Sequence, residues 1–352
     1  MQKITHSTPS RVGFFVSTLM FFCREKKRCS VALLVNIVLI ECGRKREQPQ
    51  ITSKGKSMNN YAIITCSTAD ISPELLRDRD IDFIKFSYYL DGKEYLDDMG
   101  TSMTYEEFYK RMKNGAETKT SQPNKEIIKE KFLPYLKEGK DIICLMLSSG
   151  LSGAMTSASM AKEELNKEYP ERKIYVVDSL GASTGMGLLT MEMAKRRDEG
   201  MSIDELYSWT EQNKLNVHHW FFTTDLTYFV KGGRVSKLSG WFGTILKICP
   251  LLNVSNQGKL IPRKKLRGKA KVIEEIVKRM EENAASGINY DGPCYISHSD
   301  AYEDAVAVKA QIEGKFPNLK RRVSINSIGT TIGSHTGPGT VAVFFFGNKR
   351  EN

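Results

Sequence analysis

The groups in this sequence best placed to do chemistry are hydroxyls beside helix starts, one arginine after paired glycines and one histidine among glycines. Thr120-Ser121-Gln122-Pro123 runs directly into a helix-like segment. Its hydroxyls serve either as ordinary N-caps or, with the free helix N–H groups, as an anion site. Ser148-Ser149-Gly150-Leu151-Ser152-Gly153 follows an apolar run and opens a second helix-like segment. Small residues there let a ligand approach the backbone, although a tight turn with a cap is the plainer reading. No Gly-Lys-Ser/Thr follows, so this is not a phosphate loop of the Walker type. The Gly150-to-Gly153 spacing also differs from a Gly-x-Ser-x-Gly nucleophile elbow.

In Lys231-Gly232-Gly233-Arg234 two glycines precede a guanidinium that can grip a carboxylate or phosphate through two parallel bonds. A surface arginine on an ordinary hairpin is the alternative. Gly333-Ser334-His335-Thr336-Gly337-Pro338-Gly339 reads as a loop between apolar strands, and His335 is the one histidine of five set in a glycine-rich stretch. Hydroxyls, helix N-termini, an Arg and a His together suit a carboxylate or phosphate. No acid is readable as a partner that orients His335, and no Ser–His–Asp order is present. His298-Ser299-Asp300 lacks a third ligand, so no metal is expected. The apolar stretch 241–249 reads equally as pocket lining or core.

These groups need a scaffold, and the hydrophobic patterning supplies one. Strand-like runs at 61–65, 81–89, 141–147 and 173–177 alternate with helical periodicity over 104–113, 124–137, 152–168, 185–199 and 203–215. Such alternation argues for a parallel sheet covered by helices on both faces. Ligands of open α/β sheets bind at the carboxyl ends of the strands, where the polar loops fall. Beyond about residue 217 the pattern changes: strands at 218–223, 293–298, 322–326 and 340–346, helices at 269–283 and 302–316. The expectation is an α/β N-terminal domain over 58–216 and a mixed α+β domain over 217–350.

The chain has 352 residues and a net charge of +11, but the charge is unevenly placed. Residues 1–57 hold 11 of the 52 basic and 3 of the 41 acidic residues, a net +8, which leaves +3 for the rest. The main body therefore carries no electrostatic case for nucleic acid. Seven cysteines, an odd number without a CxxC pair, suggest neither a zinc site nor a disulfide framework and fit a reducing cytoplasm. The apolar runs 12–22 and 31–40 are each half the length of about 20 that a spanning helix needs. A signal peptide fits poorly, because the basic block Arg24-Glu25-Lys26-Lys27-Arg28 follows the first run. A reading frame opened ahead of Met58 would produce this pattern, with a membrane-surface anchor or a poorly packed extension as alternatives. Low order is expected before Met58, with no stable membrane insertion.

Taken in order and at these separations, the four motifs resemble the DegV family of bacterial lipid-binding proteins, some of which are the acyl-carrying subunit of a fatty acid kinase. The resemblance runs from Asn60 to about Gly347. It implies a two-domain DegV-like fold with one long-chain fatty acid, such as palmitate or oleate, in an apolar tunnel between the domains. By motif match Thr120 and Ser152 would hold the carboxylate with His335 beside it. Ser121, Ser149, Gly153, Arg234, Thr336 and Gly337 would support them. The protein itself would not be a catalyst. A separate ATP-dependent fatty acid kinase would phosphorylate the carboxylate to an acyl phosphate, with Arg267 as a surface contact. No further cofactor is implied, and a monomer is the expected state. A stand-alone small-molecule kinase or an esterase-type enzyme is the alternative. Six positions depart from the family pattern: Cys66 for Asp, Asn124 for Ser, Ala154-Met155 for Thr-Tyr, Cys249 for Lys and Thr330 for Pro. They bear on acyl-chain preference and on engagement of the kinase.

Overall fold

The computed structural model describes residues 60–235 and 248–351. The expectations for residues 1–57, and for the apolar stretch up to residue 247, lie outside the described residues. The described chain begins with β1 (Tyr61–Cys66), α1 (Pro73–Asp78), β2 (Ile81–Ile84), β3 (Ser87–Leu90), β4 (Lys93–Leu96), α2 (Tyr105–Lys113), β5 (Thr118–Ser121), α3 (Lys125–Lys137), β6 (Asp141–Met146), α4 (Ala154–Glu168), β7 (Ile174–Asp178), α5 (Ser183–Asp198) and α6 (Ile203–Asn213). Strands β2-β1-β6-β7 form a parallel sheet in that order. All six residues of β1 are buried, as a strand covered on both faces requires.

The run 81–89 is not one strand. It breaks into β2, in the parallel sheet, and β3, the centre of a separate antiparallel sheet β4-β3-β5. Continuous apolar patterning cannot show a change of sheet. Thr120-Ser121 correspondingly belongs to β5, where Thr120 pairs with Tyr88. The cap of α3 is Asn124, whose side chain accepts from the Ile127 N–H at 2.9 Å.

The second half continues with β8 (Val217–Thr223), α7 (Thr227–Lys231), β9 (Ile248–Val254), β10 (Leu260–Arg267), α8 (Lys269–Asn283), β11 (Cys294–His298), α9 (Tyr302–Lys315), β12 (Val323–Ser327), α10 (Thr330–Thr336) and β13 (Thr340–Phe346). Its sheet is mixed, in the order β10-β9-β8-β13-β11-β12, with only β11 and β12 parallel. The glycine-rich stretch around His335 is thus largely a helix, α10, and Gly337 closes it with φ +65°. Strands β9 and β10 carry no alternation that reads cleanly from sequence, since β10 is a basic edge strand.

Alternation along the central strands divides the mixed sheet. Trp220 and Phe222 of β8, with Val341, Val343 and Phe345 of β13, pack against α8 and α9. Phe221, Ala342 and Phe344 face the other way and join the core of the parallel sheet. Helix α5 lies in that shared core and is buried along most of its first two turns. Gly185 and Gly187 let it approach both sides, because a Cβ at Gly185 would collide with His219 and one at Gly187 with the Ala69 carbonyl. Residues Ser57–Asn352 accordingly form one compact unit.

Candidate functional site

Two elements bring the first pair of polar side chains together. Strand β5 presents Thr120, and α10 presents His335 from its last turn. The Thr118 hydroxyl donates to the Ser334 carbonyl at 3.2 Å and ties helix to strand. Thr120 Oγ1 lies 2.7 Å from His335 Nε2. On the other side of the ring, Arg234 Nη1 lies 3.4 Å from Nδ1. Arg234 is held by the Leu151 carbonyl, 3.2 Å from its Nε, and by the Gly232 carbonyl, 2.5 Å from Nη1. Gly232 is required here, because a Cβ would collide with His335 Nδ1.

The proton positions follow from these partners. A guanidinium only donates, so Nδ1 accepts and the ring proton sits on Nε2. Nε2–H then donates to Thr120 Oγ1, which leaves the Thr120 hydroxyl hydrogen free to donate elsewhere. Burial, and then the Arg234 charge, push the His335 pKa down to about 4. Burial also lowers that of Arg234. At neutral pH the cluster is one neutral imidazole and one cation.

Ser152 sits just ahead of α4. Its hydroxyl accepts from the Ala154 N–H at 3.2 Å and donates to Gln122 Oε1 at 3.2 Å. Thr120, Ser121, Gln122, Ser152, Arg234 and His335 all line one cavity of about 320 Å³. That is within the usual range of small-molecule sites, about 300–1,000 Å³. Away from these groups the walls are largely apolar: Phe86 and Leu147 from the parallel-sheet side, Phe221 and Phe344 from the mixed sheet, Phe229 from α7 and Ile332 from α10. The other motif residues, Thr336 apart, lie outside the lining. Thr336 lines the cavity and its buried hydroxyl has no partner among the described residues. Ser149 is a turn residue whose N–H donates to Asp178, Gly153 abuts Gln122, and Gly337 abuts the Tyr228 ring. Arg267 is exposed on β10, outside the cavity lining.

Sequence reading missed several lining residues, Gln122 and His219 among them. Gln122 was visible only as part of a capping motif. His219 is buried in β8 and lines the cavity; the one signal was its in-register position two residues before Phe221. Among the described residues no three His, Cys, Asp or Glu side chains group as metal ligands. No described helix is long and apolar enough to cross a membrane.

The chain as a whole matches known proteins. The sequence model of the DegV family, described as an uncharacterised protein family, matches residues 60–348. The chain is 36% identical over 294 residues to a DegV domain-containing protein of Clostridium perfringens, covering 84% of this chain and 100% of that one. It is 32% identical over 286 residues to a fatty acid-binding protein of Thermotoga maritima, covering 79% and 95%. Among solved structures, a DegV lipid-binding protein of Thermotoga maritima superposes with a TM-score of 0.71 at 29% identity, covering 83% of this chain and 100% of that one.

Proposed function

The chain belongs to the DegV family, and from that premise we propose that it holds one long-chain fatty acid in the cavity described above. The carboxylate meets Thr120 and Ser152 at the polar end, with His335 and Arg234 behind Thr120. The carrying observation is the chain of bonds Arg234–His335–Thr120. It ends in a hydroxyl hydrogen with no partner inside the cluster, at the edge of an apolar cavity. A carboxylate accepts such a bond, and bonds to a charged acceptor are the strong ones. The apolar walls bind the chain, at about 0.8 kcal/mol per buried methylene.

The same proton assignment argues against an esterase. A histidine that carries its proton on Nε2 cannot take one from Thr120, and its other nitrogen meets a cation instead of an orienting carboxylate. Ser152 bonds to an amide oxygen and a backbone N–H, with no base among its partners. The reading is therefore a carrier that presents the carboxylate to a separate ATP-dependent kinase, which would form the acyl phosphate. Arg267, exposed on β10, is the proposed contact for that kinase, and the protein works as a monomer in the cytoplasm.

Native mass spectrometry of the full chain purified from a bacterial host, followed by organic extraction, tests the carrier reading. The expected result is one added mass equal to a fatty acid, lost in the Thr120→Ala/Ser152→Ala double variant. A protein that arrives empty and takes up neither palmitate nor oleate overturns it.

A further inference from the structure

The cavity has a second polar feature that the carboxylate site does not use. His219 projects from β8 into the cavity wall, 3% exposed. Its ring edge occupies space left by two glycines: a Cβ at Gly181 or at Gly185 would collide with Nε2. Phe344 meets the ring edge-on, with centroids 5.4 Å apart. Both nitrogens have unambiguous partners. Nδ1 lies 3.1 Å from the Val217 carbonyl, which only accepts, so Nδ1 carries the proton. Nε2 is then a bare acceptor. Among the described residues it meets only the Ala182 N–H, in a long bond of 3.4 Å. Burial and the Arg350 charge keep the ring neutral, well below its ordinary pKa.

The strand register measures where this acceptor stands. His219 pairs with Phe344, Phe221 with Ala342 and Thr223 with Thr340. Thr340 donates to the Thr336 carbonyl, next to His335. Four residues separate Thr340 from Phe344, about 14 Å of extended strand. An acyl chain anchored at Thr120 and laid along this sheet would bring its middle, not its head, past His219. A plain methylene there leaves Nε2 with its one long bond. A hydroxyl at the ring edge would donate to Nε2 and accept from the Ala182 N–H, exchanging one long bond for two.

Resting on the fatty-acid reading, we propose that this part of the cavity is a hydroxyl subsite, and that the preferred cargo is a long-chain fatty acid hydroxylated near mid-chain. A carboxylate has no proton to give Nε2, so the subsite also fixes which end of the ligand lies at Thr120. The neighbouring Ser183 hydroxyl does not compete as a donor, because it is committed to Asp70 at 2.5 Å.

Calorimetric titration of the delipidated full chain with oleic acid and with ricinoleic acid, the same chain carrying one mid-chain hydroxyl, is the test. Ricinoleic acid is expected to bind about 2- to 10-fold more tightly, the worth of one neutral hydrogen bond. Its O-methyl ether, which cannot donate, is expected to lose that advantage. In His219→Leu the order of the two acids is expected to reverse, since the ligand hydroxyl is then buried opposite an apolar wall. Should that variant fail to fold, the ether comparison on the unaltered protein decides the matter. Oleic acid binding as well as or better than ricinoleic acid overturns the subsite and leaves the carrier reading intact. Binding of neither acid overturns the carrier reading itself.

Discussion

The proton on His335 decides what Thr120 can do. Because Arg234 faces Nδ1, the imidazole turns its N–H toward Thr120 and frees the threonine hydrogen for a ligand. Thr120→Val keeps the shape and removes both functions. It is expected to weaken palmitate binding by about 10- to 100-fold, the range for a hydrogen bond to a charged acceptor, as read by calorimetry. Thr120→Ser restores the hydroxyl and should recover most of the loss. If Val and Ser variants bind palmitate alike, Thr120 does not hold the carboxylate. The pair Thr120 and His335 was readable as residue types with suitable chemistry. Their contact was not, because 215 positions separate them in the chain.

At the scale of elements, α10 and β5 act as one device. The short helix is pinned at its start by Asp97, which accepts from the Thr331 N–H at 3.2 Å, and at its end by Thr118. Gly337 lets the chain turn back into β13, at a φ of +65° and beside the Tyr228 ring. Gly337→Ala meets both a disfavoured backbone conformation and a collision. It is expected to cost more than about 1 kcal/mol, visible as a lowered urea midpoint. The cap of α3 makes an independent check on the reassignment of the Thr120 motif. Asn124→Ala is expected to lower stability by about 1 kcal/mol. An unchanged urea midpoint in that variant would mean that the Asn124 cap does not hold in solution.

At the scale of the molecule, buried histidines couple the fold to pH. Burial lowers the pKa of His218 and His335 to about 4, that of His219 well below its ordinary value, and that of His298. In the unfolded chain each takes a proton near pH 6.5, while the folded state resists it. Their contribution to stability is therefore complete above about pH 6.5 and is lost as pH falls from there toward about 4, by roughly 3 kcal/mol at most for a group shifted as far as His218. Asp70 and Asp97 act oppositely, since burial raises their pKa and acidification favours the folded state. A variant isolates the histidine share. Between pH 7 and pH 5 the wild type is expected to lose more stability in urea unfolding than His218→Phe does. Equal losses would show that His218 titrates normally.

How much of this was legible in the sequence follows from the range of the forces involved. Amphipathic periods and apolar runs are local, so the parallel strands β1, β6 and β7 and the long helices could be read within a few residues of their ends. The chemistry of Thr120, Ser152, Arg234 and His335 was legible too, as residue types beside glycines and helix starts. Strand pairing is not local. The four-residue strands of the small antiparallel sheet carry too few side chains for a period, and TKTS in β5 looks like a cap until Tyr88 pairs with it. The eight-residue edge strand β10 hides its membership differently, because its exposed Lys and Arg side chains leave no apolar alternation to read. His219 gained its role only when packing set its ring edge against Gly181 and Gly185, with Nε2 on the Ala182 N–H, in the wall of a cavity. Sequence by itself determined which elements form and which functional groups they carry. Tertiary structure alone decided which groups meet, which nitrogen of His335 holds a proton and what the enclosed space can receive, because these depend on contacts between residues tens to hundreds of positions apart.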